Sequence, residues 1–332
     1  MSHRSDFTLK EWTKDNYYET FPKIVGDQVR WLESIDALYN GKPHPQATSD
    51  LSHLSYGPAP GAPFNVNDLP CNKDHLSIIK SVPRVDTKDL TVEQFREQYE
   101  KPNLPVMITG LTKGWPSENW DFKALANSKY ADARFRVGDD DDGRAIRISL
   151  RDYLHYGYNN KDDSPLYLFE DAFDENDIAK GIINEYKVPK YFNEDIFPLL
   201  PFDRRPPFRW ILVGPPRSGT RMHIDPLDSS AWNVVVSGRK RWVLLSPELS
   251  KDMALGKMVW NSQEKTDGRS PQAIYWFSEI LPRVREFAQR TGRIKEIVEF
   301  IQYPGEVIMV RRIHDNASRD IALYATRRIL LF

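Results

Sequence analysis

The chain of 332 residues holds a single cysteine, Cys71. No disulfide can form within it, so its fold must rest on burial and hydrogen bonding, as in proteins of reducing compartments. No apolar run reaches the ~18 residues that a membrane-crossing helix needs. Met1 to Lys14 carries charges throughout and reads against a signal peptide. No segment repeats itself along the chain. Charge of one sign is also lacking: 46 Lys and Arg stand against 47 Asp and Glu, a formal net charge of -1. That excludes a chain that binds polyanions by bulk charge and leaves only local basic patches. Gly214 to Thr220 has neither the spacing nor the Lys-Ser/Thr ending of a phosphate loop. The acidic run Asp139 to Asp142, closed by Gly143, lacks the alternate ligands and final Glu of a calcium loop and reads as a solvated turn.

What is present is an ordinary globular composition, 40% hydrophobic and 28% charged, with 9 Trp, 15 Tyr and 16 Phe. Such aromatics suit a sheet-rich core. Trp31, Leu32 and Ile35 suggest a helix within residues 10 to 40. Residues 41 to 72, punctuated by Pro43, Pro45, Pro58, Pro60 and Pro63, read as a loop or linker. Thr91 to Gln94 has the form of a capping box, and Phe95 and Tyr99 follow on one helical face until Pro102 and Pro105 end it. A short helix is expected over Trp120 to Leu125 and another within Ile280 to Ile294. Strands are expected at 104–108, 166–169, 208–213, 231–236, 242–245, 299–303, 307–310 and 321–325. Lys251 to Glu279 has no clear period. The division is an N-terminal helical region with a Pro/Gly-rich linker or insertion over 1–90, then a β domain with helical additions over 91–332. Short strands and turns in this number point to an antiparallel double-sheet barrel.

The sharpest chemical feature is His223-Ile224-Asp225. On a strand, residues two apart point to one side, so an imidazole nitrogen and a carboxylate oxygen can converge on one ion. Two His and one carboxylate on one face of an octahedron mark non-haem iron(II) oxygenases. Taken alone, the triplet fits equally a turn in which Asp225 accepts backbone N–H groups ahead of Pro226. Lys240 follows seventeen residues after His223, within the basic trio Arg239-Lys240-Arg241. Its amine could hold the far carboxylate of a dicarboxylate, or the trio could be a solvated hairpin edge.

Gly214 to Trp242 reads GPPRSGTRMHIDPLDSSAWNVVVSGRKRW. With WTKDNYYETF at 12–21, DDSPLYLF at 162–169, EYKVP at 185–189, RPPFRW at 205–210 and QYPGE at 302–306, it resembles the Jumonji-C 2-oxoglutarate oxygenases. The likeness is to their arginine-demethylase and lysyl-hydroxylase family, formerly described as phosphatidylserine receptors. The resemblance implies a double-stranded β-helix (jelly-roll, cupin-like) fold that is mainly β with α additions. It implies Fe(2+) and 2-oxoglutarate as cofactors, with His223 and Asp225 as catalytic metal ligands. Lys240 would pair with the distal carboxylate of 2-oxoglutarate, Tyr167 and Thr220 would add hydroxyl hydrogen bonds, and Asn233 would line the pocket. The implied activity is hydroxylation of lysyl side chains, with demethylation of methyl-arginine beside it. The implied partners are lysine- or arginine-rich proteins such as splicing factors or histones, with RNA association, in the nucleus and in a chromatin-regulating role; no membrane partner is expected.

The chain departs from that family beyond Val310. Where the family has a Pro-Gly-Gly-Trp turn and a third metal-binding histidine, this chain reads Arg311-Arg312-Ile313-His314, and its C-terminus looks truncated or altered. Either His314 serves as the third ligand from a shortened turn, or it is a surface residue in an altered tail. The second case leaves a catalytically impaired or inactive Jumonji-C fold acting as a protein or RNA interaction module.

Overall fold

The computed structural model describes residues 82–139, 145–160, 165–194, 197–201, 204–223, 231–246, 249–255, 273, 276–310, 321–327 and 330–331. The helix expected within 10–40 and the loop at 41–72 lie outside them, as do Asp225, His314 and the acidic residues 140–142.

Thirteen strands are described: β1 Arg84–Asp86, β2 Val106–Thr109, β3 Arg134–Asp139, β4 Ala145–Ser149, β5 Leu168–Glu170, β6 Ile211–Val213, β7 Ser218–Gly219, β8 Ala231–Val235, β9 Arg239–Leu245, β10 Ile297–Gln302, β11 Val307–Val310, β12 Ile321–Arg327 and β13 Leu330–Leu331. One sheet has the order β1-β2-β11-β8-β13-β6-β5 and a second the order β10-β9-β12-β7, while β3 and β4 form a hairpin. From β6 onward the chain passes between the two large sheets at every step except the β9 to β10 connection. Every pairing among these strands is antiparallel. This winding is the double-stranded β-helix expected from the sequence, with helical additions around it.

The two sheets meet through Met107, Leu212, Val235 and Ile308 on one side and Trp242, Leu244 and Phe300 on the other. The seven-stranded sheet is covered on its far face as well. Val213, Val234 and Val307 pack there against Tyr153, Leu154 and Tyr156 of the helix Leu150–Asn159, whose buried positions recur at helical spacing. The expected helix start at Thr91 is a complete capping box: Gln94 N donates to Thr91 Oγ1 at 3.1 Å and Thr91 N to Gln94 Oε1 at 2.9 Å. The chain turns more widely after Phe95, with Lys101 N donating to Arg96 O at 2.8 Å.

The outer face of the four-stranded sheet packs on the helix Leu281–Arg290 through Val243, Leu245, Ile297, Leu281 and Val284. A charged group interrupts this apolar layer. Glu299 is 7% exposed and is bound by Arg241 of β9 and Arg285 of the helix. Burial alone would raise its carboxyl pKa, but the two guanidinium groups outweigh that and hold it below the ordinary value. A depressed carboxylate contributes stability above its unfolded pKa and loses it as pH falls through the folded value. Glu299→Gln is therefore expected to lower unfolding stability by about 3 kcal/mol near pH 7. The gap from the wild type should narrow as the pH drops below the ordinary 4.5, as read by urea unfolding at a series of pH values.

Candidate active site

The expected site residues that are described lie on or beside β5, β7, β8 and β9. The turn before β7 is built by Gly214-Pro215-Pro216-Arg217. Arg217 adopts a left-handed backbone (φ 71°), and Ser218 Oγ donates to Pro215 O at 2.7 Å. Gly214 has no room for a side chain. A Cβ there would come within 2.1 Å of Ser218 Oγ and 2.8 Å of the Tyr167 ring. Glycine is thus what allows Tyr167 to sit against this turn.

Tyr167 immediately precedes β5, and its neighbours are fixed by buried hydroxyls. Tyr153 Oη accepts Leu168 N–H at 3.1 Å and lies 2.7 Å from Val213 O and 2.9 Å from Leu166 O, to one of which it donates. Tyr156 Oη accepts Leu166 N–H at 2.9 Å. Burial holds the Tyr153 phenol well above its ordinary pKa, so it acts as a neutral donor.

Lys240 is the second residue of β9, on the inner face and two residues before Trp242. It is 0% exposed, and its ammonium rests 4.0 Å from the centre of the Trp242 ring. Across the four-stranded sheet the backbone row runs Gln302, Lys240, Thr326, Ser218. Asn233 sits on β8 opposite Ile308, on the face that carries Val235 into the inter-sheet core. The Tyr167 hydroxyl, the Thr220 hydroxyl, both amide atoms of Asn233 and the Lys240 ammonium are all buried. Among the described residues, Thr220 Oγ1 and the two Asn233 amide atoms find no hydrogen-bond partner. Polar atoms sealed this way cost free energy unless something bonds to them. With one buried cation among them, they fit a small anion rich in oxygen acceptors.

His223 follows β7 and is half-buried. Its Nδ1 lies 2.7 Å from Arg221 O. A carbonyl only accepts, so the proton is on Nδ1, and the lone pair of the neutral ring is on Nε2. This is the arrangement in which a backbone carbonyl fixes a metal-binding histidine. The chemistry of His223 therefore fits a metal ligand. Among the described residues no group of three His, Cys, Asp or Glu converges on one point. Asp225 and His314 lie outside them. Strand β12, which runs between β9 and β7, contains no His, Cys, Asp or Glu, and His314 precedes its first residue by seven positions.

Two residues that motif reading did not assign stand out. Gln302 is 0% exposed and links both sheets. Its Oε1 accepts Trp242 Nε1–H at 2.8 Å, and its Nε2 donates to Asn233 O at 2.9 Å and Glu306 O at 2.8 Å. Trp242 both supports the Lys240 ammonium and stacks on Phe300 at 5.9 Å. Both residues belong to shared sequence stretches, but their roles depend on the pairing of β9 with β10. A direct consequence concerns the turn: Gly214→Ala should destabilise the fold by about 1–3 kcal/mol through overpacking. The thermal midpoint should fall, and the near-ultraviolet circular dichroism of the tyrosines should change as Tyr167 is displaced.

Comparison with known proteins places this geometry. A cupin-like domain matches residues 92–310. The bifunctional arginine demethylase and lysyl-hydroxylase psr-1 of Caenorhabditis briggsae is 42% identical over 232 residues, 69% of this chain and 56% of that protein. An arginine-specific demethylase of Arabidopsis thaliana is 33% identical over 253 residues, 74% of this chain and 46% of that protein. A mouse protein named as a 2-oxoglutarate and iron-dependent oxygenase is 26% identical over 233 residues, 63% of this chain and 51% of its own. The chain spans about half the length of the curated relatives it matches. With the two-sheet winding and the turn before His223, these likenesses show that the chain belongs to the family of cupin-like Jumonji-C domains.

Proposed function

We propose that this protein is an iron(II)- and 2-oxoglutarate-dependent dioxygenase that hydroxylates lysyl side chains of other proteins and, by hydroxylating an N-methyl carbon, demethylates methyl-arginine. The observation that carries the reading is the fully buried Lys240 ammonium on the inner face of β9, in a domain that also buries the Thr220 hydroxyl and the Asn233 amide without hydrogen-bond partners among the described residues. A dicarboxylate supplies acceptors for a cation and for hydroxyl and amide donors at once. The names of the relatives support the same reading: arginine demethylase and lysyl-hydroxylase for one, 2-oxoglutarate and iron-dependent oxygenase for another.

In this proposal Lys240 binds the distal carboxylate of 2-oxoglutarate, and Tyr167 and Thr220 donate hydroxyl hydrogen bonds to it. Asn233 closes the pocket from the facing sheet. His223, through Nε2, and Asp225 hold the iron, with His314 as the third ligand. Bound there, iron(II) would supply oxygen activation coupled to the oxidative decarboxylation of 2-oxoglutarate to succinate. In this reading the inter-sheet core that includes Trp242, Leu244, Leu212 and Val235 would help to keep bulk water from the reacting centre. A nuclear location and lysine- or arginine-rich substrates such as splicing factors or histones belong to the same proposal.

The test is aerobic conversion of 2-oxoglutarate to succinate with iron(II), with and without a lysine- and arginine-rich peptide, followed by mass spectrometry of the peptide. Peptide-stimulated turnover is expected, with gain of an oxygen on lysine or loss of a methyl group from methyl-arginine. His223→Ala should abolish turnover, and Lys240→Ala should raise the KM for 2-oxoglutarate by roughly tenfold to a hundredfold. A folded wild type that binds neither iron(II) nor 2-oxoglutarate would instead mark an interaction module.

A further inference from the structure

Lys240 does not meet its pocket as an isolated side chain. Its ammonium lies over the indole of Trp242, at a distance where the negative face of the ring attracts a cation. That indole is held from two directions. The ring of Phe300 stacks on it, 13° from coplanar, and its Nε1–H bonds to Gln302. Gln302 in turn uses its amide nitrogen on two carbonyls. One belongs to Asn233, on the opposite sheet, and the other to Glu306, beyond the β10–β11 turn. All these groups are buried, so every bond is made in a low-dielectric setting where misalignment is costly. A single amide thus sets the plane of the ring under Lys240 and the position of the backbone that carries Asn233.

We propose that Trp242 and Gln302 are a coupled pair of positioning residues that fix the distance between the Lys240 ammonium and the Asn233 wall, and thereby the length of diacid the pocket accepts. The inference rests on the reading of this pocket as the 2-oxoglutarate site. It goes beyond that reading by assigning length discrimination to two residues that contact Lys240 and the Asn233 backbone. The pair acts as one unit, because loss of the Nε1–H bond frees the ring, and loss of the amide frees both the ring and the Asn233 carbonyl.

The experiment is calorimetric titration of 2-oxoglutarate, and of 2-oxoadipate with one more methylene, into the full chain loaded with manganese(II). The variants are Trp242→Phe, which keeps an aromatic face without the N–H, Gln302→Leu, and the double variant. Each single variant should weaken 2-oxoglutarate binding by roughly fivefold to thirtyfold. The preference over 2-oxoadipate should collapse, the manganese affinity should hold, and the double variant should lose no more than the weaker-binding single one. If the residues only support the fold, the thermal midpoint falls while the preference between the two diacids is kept, and the inference is overturned. The same follows if the two losses simply multiply. Should Gln302→Leu fail to fold, Trp242→Phe alone decides through the diacid preference. A wild type that binds neither diacid overturns the reading of the pocket and this inference with it, whereas wild-type binding with unchanged variants overturns the inference alone.

Discussion

A lysine ammonium placed between two apolar sheets is the constraint on which the site depends. Removing such a charge from water costs several kcal/mol unless the surroundings compensate. Lys240 has no exposure at all, and it shares the inner face of β9 with Trp242 and Leu244, which pack with Phe300, Leu212 and Val235 in the inter-sheet core. Folding could have placed this side chain outward merely by shifting β9 one residue, since alternate residues of a strand face opposite ways. That shift would send Trp242 and Leu244 outward too, and with them one half of the core. The apolar residues therefore fix the register that buries the cation, and a cation so placed must be met by electron-rich groups, of which the Trp242 ring is one.

The rest of the site answers to that requirement. The indole of Trp242 supplies an electron-rich face, and Gln302 keeps it in place. Asn233 and Thr220 bring buried polar atoms. The turn at Gly214 lets Tyr167 close against Ser218, and Tyr153 anchors the segment on which Tyr167 lies. His223 stands at the end of the same turn with its Nδ1 proton committed to a backbone carbonyl. The placement of Lys240, Asn233, Tyr167 and His223 thus follows from one sheet register and one glycine-dependent turn. The buried Glu299 group on the opposite face of the four-stranded sheet ties β9 and β10 to the flanking helix. It thereby stiffens the two strands that carry Lys240 and Gln302.

Much of this was legible in the residues. The Thr91–Gln94 box starts a helix where its chemistry says it should, and Val307–Val310 is a strand with the expected bounds. The segment from Gly214 to Trp242 carries the family likeness in its residues alone. Other parts were not legible. The hairpin of β3 and β4 does alternate, with Phe135 and Val137 buried and Arg134 and Arg136 exposed, but the acidic run between its strands reads as a loop and masks the signal. The helix Leu150–Asn159 went unread for a related reason, since its buried face is tyrosine-rich and its mean character is polar. Alternation tells which residues share a face and not which sheet a strand joins. The link from Gln302 to both Trp242 and Asn233 therefore could not be read before the pairing of β10 with β9 was known.

The central claim is that the buried ammonium of Lys240 exists to hold a second carboxylate. Comparison of 2-oxoglutarate with 2-oxobutyrate tests it most directly, because the two share the keto-acid end and only the first has a distal carboxylate. Calorimetry on the manganese(II)-loaded chain should show 2-oxoglutarate binding roughly a hundredfold more tightly, the scale of a buried charge-assisted contact. Equal affinity for the two acids would contradict the account.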